Sequence, residues 1–243
     1  MSKLCIDIGN TSITYCYVAD NKPSVINRFS TSNNLLDWFN KLTLNNISTA
    51  VISSVVPELS KQINELFKTR DIDVFEVSYM NSSLNLNVDT PSDVGNDRIC
   101  NIAAAMDIYG APSIVIDFGT ATTYDIIDET GSFIGGAIAP GIDVSANNLI
   151  SKAALLKDVA YKFPNSIIGK DTISNIQSGV MLGGLYSVEG MIRHIKEEMQ
   201  SPGCNIILTG GFGSLISSAL TVEHIYNEHL TIYGMLSIFK KNS

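Results

Sequence analysis

Asp117 stands in the stretch Ile114-Val115-Ile116-Asp117-Phe118-Gly119-Thr120-Ala121-Thr122-Thr123-Tyr124, where a β-branched run meets a carboxylate, a glycine and a set of small hydroxyls. A turn of that composition can hold a phosphate chain. Backbone N–H groups and Thr hydroxyls donate to phosphate oxygens, Gly119 allows close approach because it lacks a Cβ, and Asp117 can hold a cation or its waters. The same residues would also make a plain hairpin, since Asp-x-Gly is a common turn composition. The chain repeats the pattern in Leu4-Cys5-Ile6-Asp7-Ile8-Gly9-Asn10-Thr11, and setting Asp7 against Asp117 also sets Gly9 against Gly119. Two strand-turn-strand units imply a duplicated architecture in which the turns face one another across a cleft. A third group, Gly95-Asn96-Asp97-Arg98, opens a helical pattern. Unpaired N–H groups and the helix dipole favour bound anions there.

These groups need elements to carry them. Strands are expected near residues 3–8, 13–19 and 25–30, from β-branched content and the Asp20-Asn21-Lys22-Pro23 turn between the last two. A helix is expected over about residues 34–44, with Leu35, Leu36, Phe39 and Leu42 on one face and Asn33 or Asn34 as its cap. A buried-type strand over 49–56, a helix opened by Pro57 and reaching about Phe67, and a strand over 74–77 follow. The helix over 94–108 carries Ile99, Ile102, Ala103 and Met106 at helical spacing. Gly110-Ala111-Pro112 is a short connector and the expected boundary between a first unit, 1–110, and a second, 111–243. The second unit repeats the order, with strands near 113–118, 122–128 and 132–138 and helices near 143–156 and 174–199. A strand at 204–209 leads into Gly210-Gly211, then come a helix to about Leu220 and a short strand within Val222 to Tyr226. A final apolar helix over about 228–240 is free to pack back on the first unit.

Composition narrows the class of protein. At 243 residues and 45% apolar content the chain can bury a substantial core. No apolar run approaches the ~18 residues needed to span a bilayer, and Asp7 interrupts the one apolar stretch at the N-terminus that could resemble a signal peptide. A cytoplasmic protein is therefore expected, with no membrane partner. The net charge is −8 with no basic block, which disfavours nucleic acid as a partner but leaves a small phosphorylated ligand open. Cys5, Cys16, Cys100 and Cys204 form no C-x-x-C pair and read as reduced core residues. His194, His224 and His229 show no metal-ligand spacing. Gly169-Lys170 is followed by Asp171, so there is no P-loop, and Gly210-Gly211-Phe212-Gly213 lacks the spacing of a dinucleotide fingerprint.

The duplicated order, with an Asp-x-Gly turn opening each half, resembles the actin-like ATPase and sugar-kinase superfamily. Within it, the finer resemblance is to type III pantothenate kinase and extends over nearly the whole chain. It rests on Asp7-Ile8-Gly9-Asn10-Thr11, Ile52-Ser53-Ser54-Val55-Val56-Pro57, Gly95-Asn96-Asp97-Arg98 and Asp117-Phe118-Gly119-Thr120-Ala121-Thr122-Thr123. Further along it rests on Gly135-Gly136-Ala137-Ile138-Ala139-Pro140-Gly141, Ile168-Gly169-Lys170-Asp171-Thr172 and Thr209-Gly210-Gly211. Each piece is weak singly, and in this order together they are a strong signal.

The resemblance implies an α/β fold of two duplicated ribonuclease H-like (actin-like ATPase) domains, with mixed sheets flanked by helices. It implies ATP-dependent phosphorylation of pantothenate to 4'-phosphopantothenate, the first step of coenzyme A biosynthesis, by a homodimer whose substrate pockets are lined in part by the partner subunit. Magnesium with ATP and a monovalent cation, potassium or ammonium, are the implied cofactors. The implied ATP loop is Asp7, Ile8, Gly9, Asn10, Thr11, Ser12, Ile13 and Thr14, with Asp7 near the divalent metal, and Thr120 contacts ATP from the second turn. Gly95, Asn96, Asp97, Arg98 and Thr172 are the implied pantothenate contacts. Asp97 would accept the hydroxyl proton, and Arg98 offers a donor fork to the pantothenate carboxylate. Asp117 corresponds to the monovalent-cation position, where spacing alone points to magnesium. An ordinary carboxylate of pKa ~3.9 is a feeble base at neutral pH, yet it can orient the hydroxyl and take the proton late. Asn96 stands where a small residue is usual, Lys157 where the family commonly shows proline, and Val88 near a position that is Tyr in some members. Another small-alcohol kinase, a polyphosphate hydrolase of the same fold, and a non-enzymatic regulatory accessory factor are the competing expectations.

Overall fold

A computed structural model describes residues 2–152 and 159–243. In chain order the first strands are β1 (Ser2–Ile8), β2 (Ser12–Ala19), β3 (Lys22–Pro23) and β4 (Asn27–Ser30). Helix α1 (Leu35–Lys41), β5 (Ile47–Ser54), α2 (Pro57–Lys68), β6 (Asp73–Glu76) and α3 (Asn96–Ile108) follow. Next come β7 (Ser113–Phe118), β8 (Ala121–Ile127), β9 (Phe133–Pro140) and α4 (Ile142–Lys152). Helix α5 (Thr172–Gln177) runs through one π turn over Ser178–Leu182 into α6 (Gly183–Glu198). The chain closes with β10 (Asn205–Thr209), α7 (Gly213–Ser217), β11 (Ile225–Tyr226) and α8 (Leu230–Lys241). Two compact units result: Met1–Gly110 with Gly131–Ile134 and His229–Ser243, and Ala111–Thr130 with Gly135–Glu228. Among the described residues no helix is long and apolar enough to cross a membrane.

The first unit is built on a mixed sheet in the order β3-β2-β1-β5-β6, with β4 also paired to β2. β1 is antiparallel to β2 and parallel to β5, which is parallel to β6. Alternation along β1 sends Leu4, Ile6 and Ile8 into one core with Trp38, Phe39, Ile63 and Phe67 of α1 and α2. Cys5 and Asp7 take the opposite face, where α3 and α8 lie against β5 and against each other. Gly234 of α8 lies directly against the backbone of Cys100 in α3, leaving no room for a Cβ.

Local chemistry explains where these elements differ from expectation. Asn34 caps α1 by accepting from the Leu36 N–H at 2.9 Å, but Leu36 itself is 53% exposed. The helix is short and turned so that Trp38 and Phe39 enter the core. The third strand does not begin at Val25, which is exposed. Positive φ at Asp20 and Asn21 closes a tight turn, and pairing with β2 resumes at once over Lys22–Pro23. The expected single helix over 174–199 is one helical run interrupted by the π turn. Residues 153–156 of the expected helix over 143–156 lie outside the described residues.

The second unit carries the sheet order β11-β10-β7-β8-β9, with β7 antiparallel to β8 and parallel to β10. Ile114, Ile116 and Phe118 alternate into a core with Tyr124, Leu208, Leu185, Val188 and Ile192. Asp117 therefore stands on the other face. The four cysteines are buried free thiols, and burial pushes all of them above the ordinary thiol range, so they stay protonated and unreactive.

Candidate active site

In the first unit Asp7 sits near the end of β1, one residue before the chain turns. The Gly9 N–H closes the turn by donating to the Ser12 carbonyl at 3.0 Å. From β4's end, Thr31 donates through Oγ1 to the Asn10 carbonyl at 2.8 Å and through its N–H to the Thr11 carbonyl at 3.1 Å. Asn10 and Thr11 lie toward solvent, while the side chains of Ile8 and Ile13 are buried in the core. Only the backbone of those two isoleucines can therefore serve a ligand.

The acidic end of α3 belongs to the same unit. Gly95 is its N-cap and provides no side chain, and the first turn holds Asn96, Asp97 and Arg98. Asp97 Oδ1 accepts from the Arg98 N–H at 2.8 Å. A Cβ on Gly95 would lie 2.6 Å from that Oδ1, so the glycine leaves the room that the carboxylate occupies. Burial raises the Asp97 pKa above the usual carboxylate value, against the opposing pull of the Arg98 N–H and charge. Asp97 is thus a better proton acceptor than an ordinary aspartate. The Cys100 thiol, one helical turn on, is raised chiefly by burial, then by the charge of Asp7, and further by that of Asp97. The end of β5 touches both neighbourhoods: Ser53 Oγ donates to Asp7 Oδ1 at 2.8 Å, and the Ser54 carbonyl accepts from Asn96, the residue before Asp97, at 3.0 Å. The Arg98 guanidinium lies over the Phe133 ring, 5.5 Å from its centroid.

In the second unit Asp117 is in register with Thr123 of β8 on one side and Thr209 of β10 on the other. Directly opposed residues share a face, so a carboxylate and two hydroxyls form one row across three strands. Thr123 Oγ1 is buried with no hydrogen-bond partner. An oxygen-only donor set with an orphaned hydroxyl suits a hard cation. The next turn is built by backbone: the Gly119 N–H donates to the Ala121 carbonyl at 3.0 Å, and the Gly141 N–H to the Thr120 carbonyl at 3.1 Å. Gly210, at φ +90°, comes so close that a Cβ there would overlap Asp117 Oδ1 and lie 2.6 Å from the Phe118 nitrogen. Thr172 is the exposed first residue of α5, whose cap Asp171 accepts from the Ser174 N–H at 2.9 Å. Among the described residues no group of three or more His, Cys, Asp and Glu could hold a metal ion.

Residues 3–194 match the family model for type III pantothenate kinase. The chain belongs to the type III pantothenate kinase family. A type III pantothenate kinase from a Sulfurihydrogenibium species is 38% identical, over 98% of this chain and 99% of that protein. A conserved, provisionally named Baf family transcriptional activator from Campylobacter jejuni has the same fold, with a TM-score of 0.66 at 20% identity over 98% of both chains. MreB5 of Spiroplasma citri, solved with ADP, matches with a TM-score of 0.54 at 12% identity, over 99% of this chain and 96% of that one. Both likenesses show the fold alone, which is that of the actin-like ATPases.

Against the type III pantothenate kinase pattern, the Asn96 departure has a structural reason: its Nδ2 donates to the Ser54 carbonyl at 3.0 Å. Val88 is half-buried, and nothing in the structure gives it a part at Asp97. Lys157 lies outside the described residues. Phe133 and Thr31 escape sequence reasoning, which sees Thr123 only as one of the turn's hydroxyls and Cys100 only as a core thiol. Thr123 is within reach of it, because strand parity alone places Thr123 and Asp117 on a common face once the hairpin between them is recognised.

Proposed function

We propose that the chain transfers the terminal phosphoryl group of ATP to the hydroxyl of pantothenate, opening coenzyme A biosynthesis. The observation that supports the reading at residue level is the half-buried Asp97 carboxylate in the first turn of α3, next to Asn96, which is tied to the same end of β5 that holds Asp7. Magnesium bound with ATP neutralises charge on the moving phosphoryl group. Asp7 stands at the turn suited to that cation, and the Gly9 to Thr14 backbone and hydroxyls supply donors to phosphate oxygens. Thr120 serves ATP from the second turn. Asp97 orients the acceptor hydroxyl and takes its proton. Arg98, steadied over Phe133, offers its fork to the pantothenate carboxylate, with Gly95, Asn96 and Thr172 as further contacts.

Asp117 with Thr123 and Thr209 is the proposed monovalent-cation site. Replacing potassium by sodium at constant ionic strength is expected to lower kcat, and equal rates with the two ions would remove that role. A homodimer belongs to the same proposal. The exposed Ile138, Ile168, Ile173 and Tyr186 of the second unit favour it, as apolar surface left for a partner. Free buried cysteines agree with a place in the cytoplasm. The acceptor is tested by offering ATP with pantothenate, other small alcohols and water as competing acceptors. Selective consumption with pantothenate supports the reading, whereas turnover with another alcohol or steady hydrolysis supports a different kinase or a hydrolase.

A further inference from the structure

The motif Ile52-Ser53-Ser54-Val55-Val56-Pro57 has no part in the roles above, yet it stands between the two carboxylates that do. We infer that the Ser53-Ser54 end of β5 is a brace that holds Asp7 and Asp97 in fixed relation, with Ser53 positioning Asp7 and the Ser54 carbonyl anchoring the first turn of α3 through Asn96. The inference rests on the reading that Asp7 serves the nucleotide and its cation.

Ser53 follows Ala50, Val51 and Ile52 in a strand whose C-terminal half is shielded from solvent, and it is itself 0% exposed. A buried hydroxyl costs stability unless it is hydrogen-bonded. Parallel register sets Ser53 directly opposite Asp7, and Ser53 Oγ donates to Asp7 Oδ1 at 2.8 Å. A hydrogen bond to an ionised acceptor is stronger than a neutral one and fixes the carboxylate's rotation.

Ser54 does the corresponding work for α3. Its Oγ pairs with the Val56 N–H at 3.1 Å, which shapes the turn into α2, and the Val55 N–H donates to the Ile8 carbonyl at 3.1 Å, which ties that turn to β1. The Ser54 carbonyl is left facing α3 and accepts from Asn96 Nδ2 at 3.0 Å. Val55 packs beside Gly95, with Cγ1 3.3 Å from where a Cβ would stand. One short turn therefore touches β1 next to Asp7 and α3 next to Asp97. In phosphoryl transfer a misplacement of about 1 Å costs on the order of 10²-fold in rate.

Ser53→Thr and Ser53→Val have the same shape and differ only in the hydroxyl, which separates positioning from packing. Calorimetric titration with MgADP and steady-state kinetics are measured on both, on Asp7→Asn, and on Asp7→Asn combined with Ser53→Val. Ser53→Val is expected to weaken MgADP binding and lower kcat by about 10–100-fold, as for loss of a group that orients a metal ligand, with the pantothenate KM little changed. Ser53→Thr is expected to keep most of both, and Ser53→Val is expected to add nothing to Asp7→Asn. Equal losses in the Thr and Val variants would overturn the brace. Indifference to Ser53→Val while Asp7→Asn loses MgADP would overturn the brace alone, and indifference to Asp7→Asn would overturn the reading of Asp7 and the brace with it. Asn96→Ala, which leaves the Asn96 backbone available to pantothenate, provides a second arm: it is expected to lower kcat roughly tenfold with MgADP affinity and the pantothenate KM little changed. An unchanged kcat would overturn the α3 half of the inference.

Discussion

Asp97→Asn is expected to lower kcat by about 10²–10⁴-fold, the usual worth of a positioned general base, while leaving the protein folded and at least as heat-stable as the parent near neutral pH. Asparagine keeps an oxygen to accept the Arg98 N–H, so the first turn of α3 stays intact, but it cannot take the hydroxyl proton. The stability prediction follows from the sign of the pKa shift. Burial raises the Asp97 pKa in the folded state, so the folded protein binds this proton more tightly than the unfolded chain does. The resulting stabilisation is complete below the unfolded pKa and lost as pH rises through the folded one. At neutral pH the ionised carboxylate is a burden that asparagine removes, and the advantage of the variant should shrink as pH falls below the raised value. The same shift is expected to move the acid limb of kcat/KM, which reports the free enzyme, above the range of an ordinary aspartate. Melting curves and pH–rate profiles of the two proteins check both statements. Near-normal turnover by the variant would take Asp97 out of the chemistry.

Gly234→Ala is expected to be among the most damaging single-methyl changes in the chain. A Cβ there would overlap the Cys100 carbonyl oxygen and lie 2.7 Å from its Cα. These are backbone atoms of α3 and cannot swing aside as a side chain could, so α8 and α3 must separate. Overpacking of this kind costs about 1–3 kcal/mol and occasionally more. In a chain of this size each kcal/mol lowers Tm by roughly 2–4 °C. Activity should fall further than stability, because Cys100 is one turn from Asp97 and a displaced α3 carries the carboxylate with it. Gly184→Ala and Gly190→Ala in α6, where a Cβ would meet nothing within 4 Å, serve as controls and should be neutral or slightly stabilising. Thermal melts of the three variants, with kcat measured well below each Tm, separate the outcomes.

Much of this site is legible in residue types and their spacing alone. The Asp7 and Asp117 turns stand out because β-branched runs stop at a carboxylate followed by a glycine, and the start of α3 is marked by Gly95 ahead of helical spacing. Asn34 is visible as a cap because its side chain acts on a residue two positions away. What escapes depends on contacts distant in sequence. Ser53 gains its role from strand register with Asp7, 46 residues earlier. Gly234 matters only because α8 crosses α3, and Phe133 only because it lies beneath Arg98. Periodicity misplaces Leu36 for a simpler reason: in a helix of two turns it does not distinguish Leu36 from Trp38, and packing decides. Asp97 reads as a weak base because its reference pKa carries no information about burial.

The most direct test is phosphorus NMR of the purified protein with ATP, magnesium, potassium and pantothenate. A phosphomonoester resonance of 4'-phosphopantothenate should grow in step with ADP, and should vanish when pantothenate is omitted or Asp97→Asn is used. ATP consumed without that ester, or no turnover under these conditions, would contradict the account.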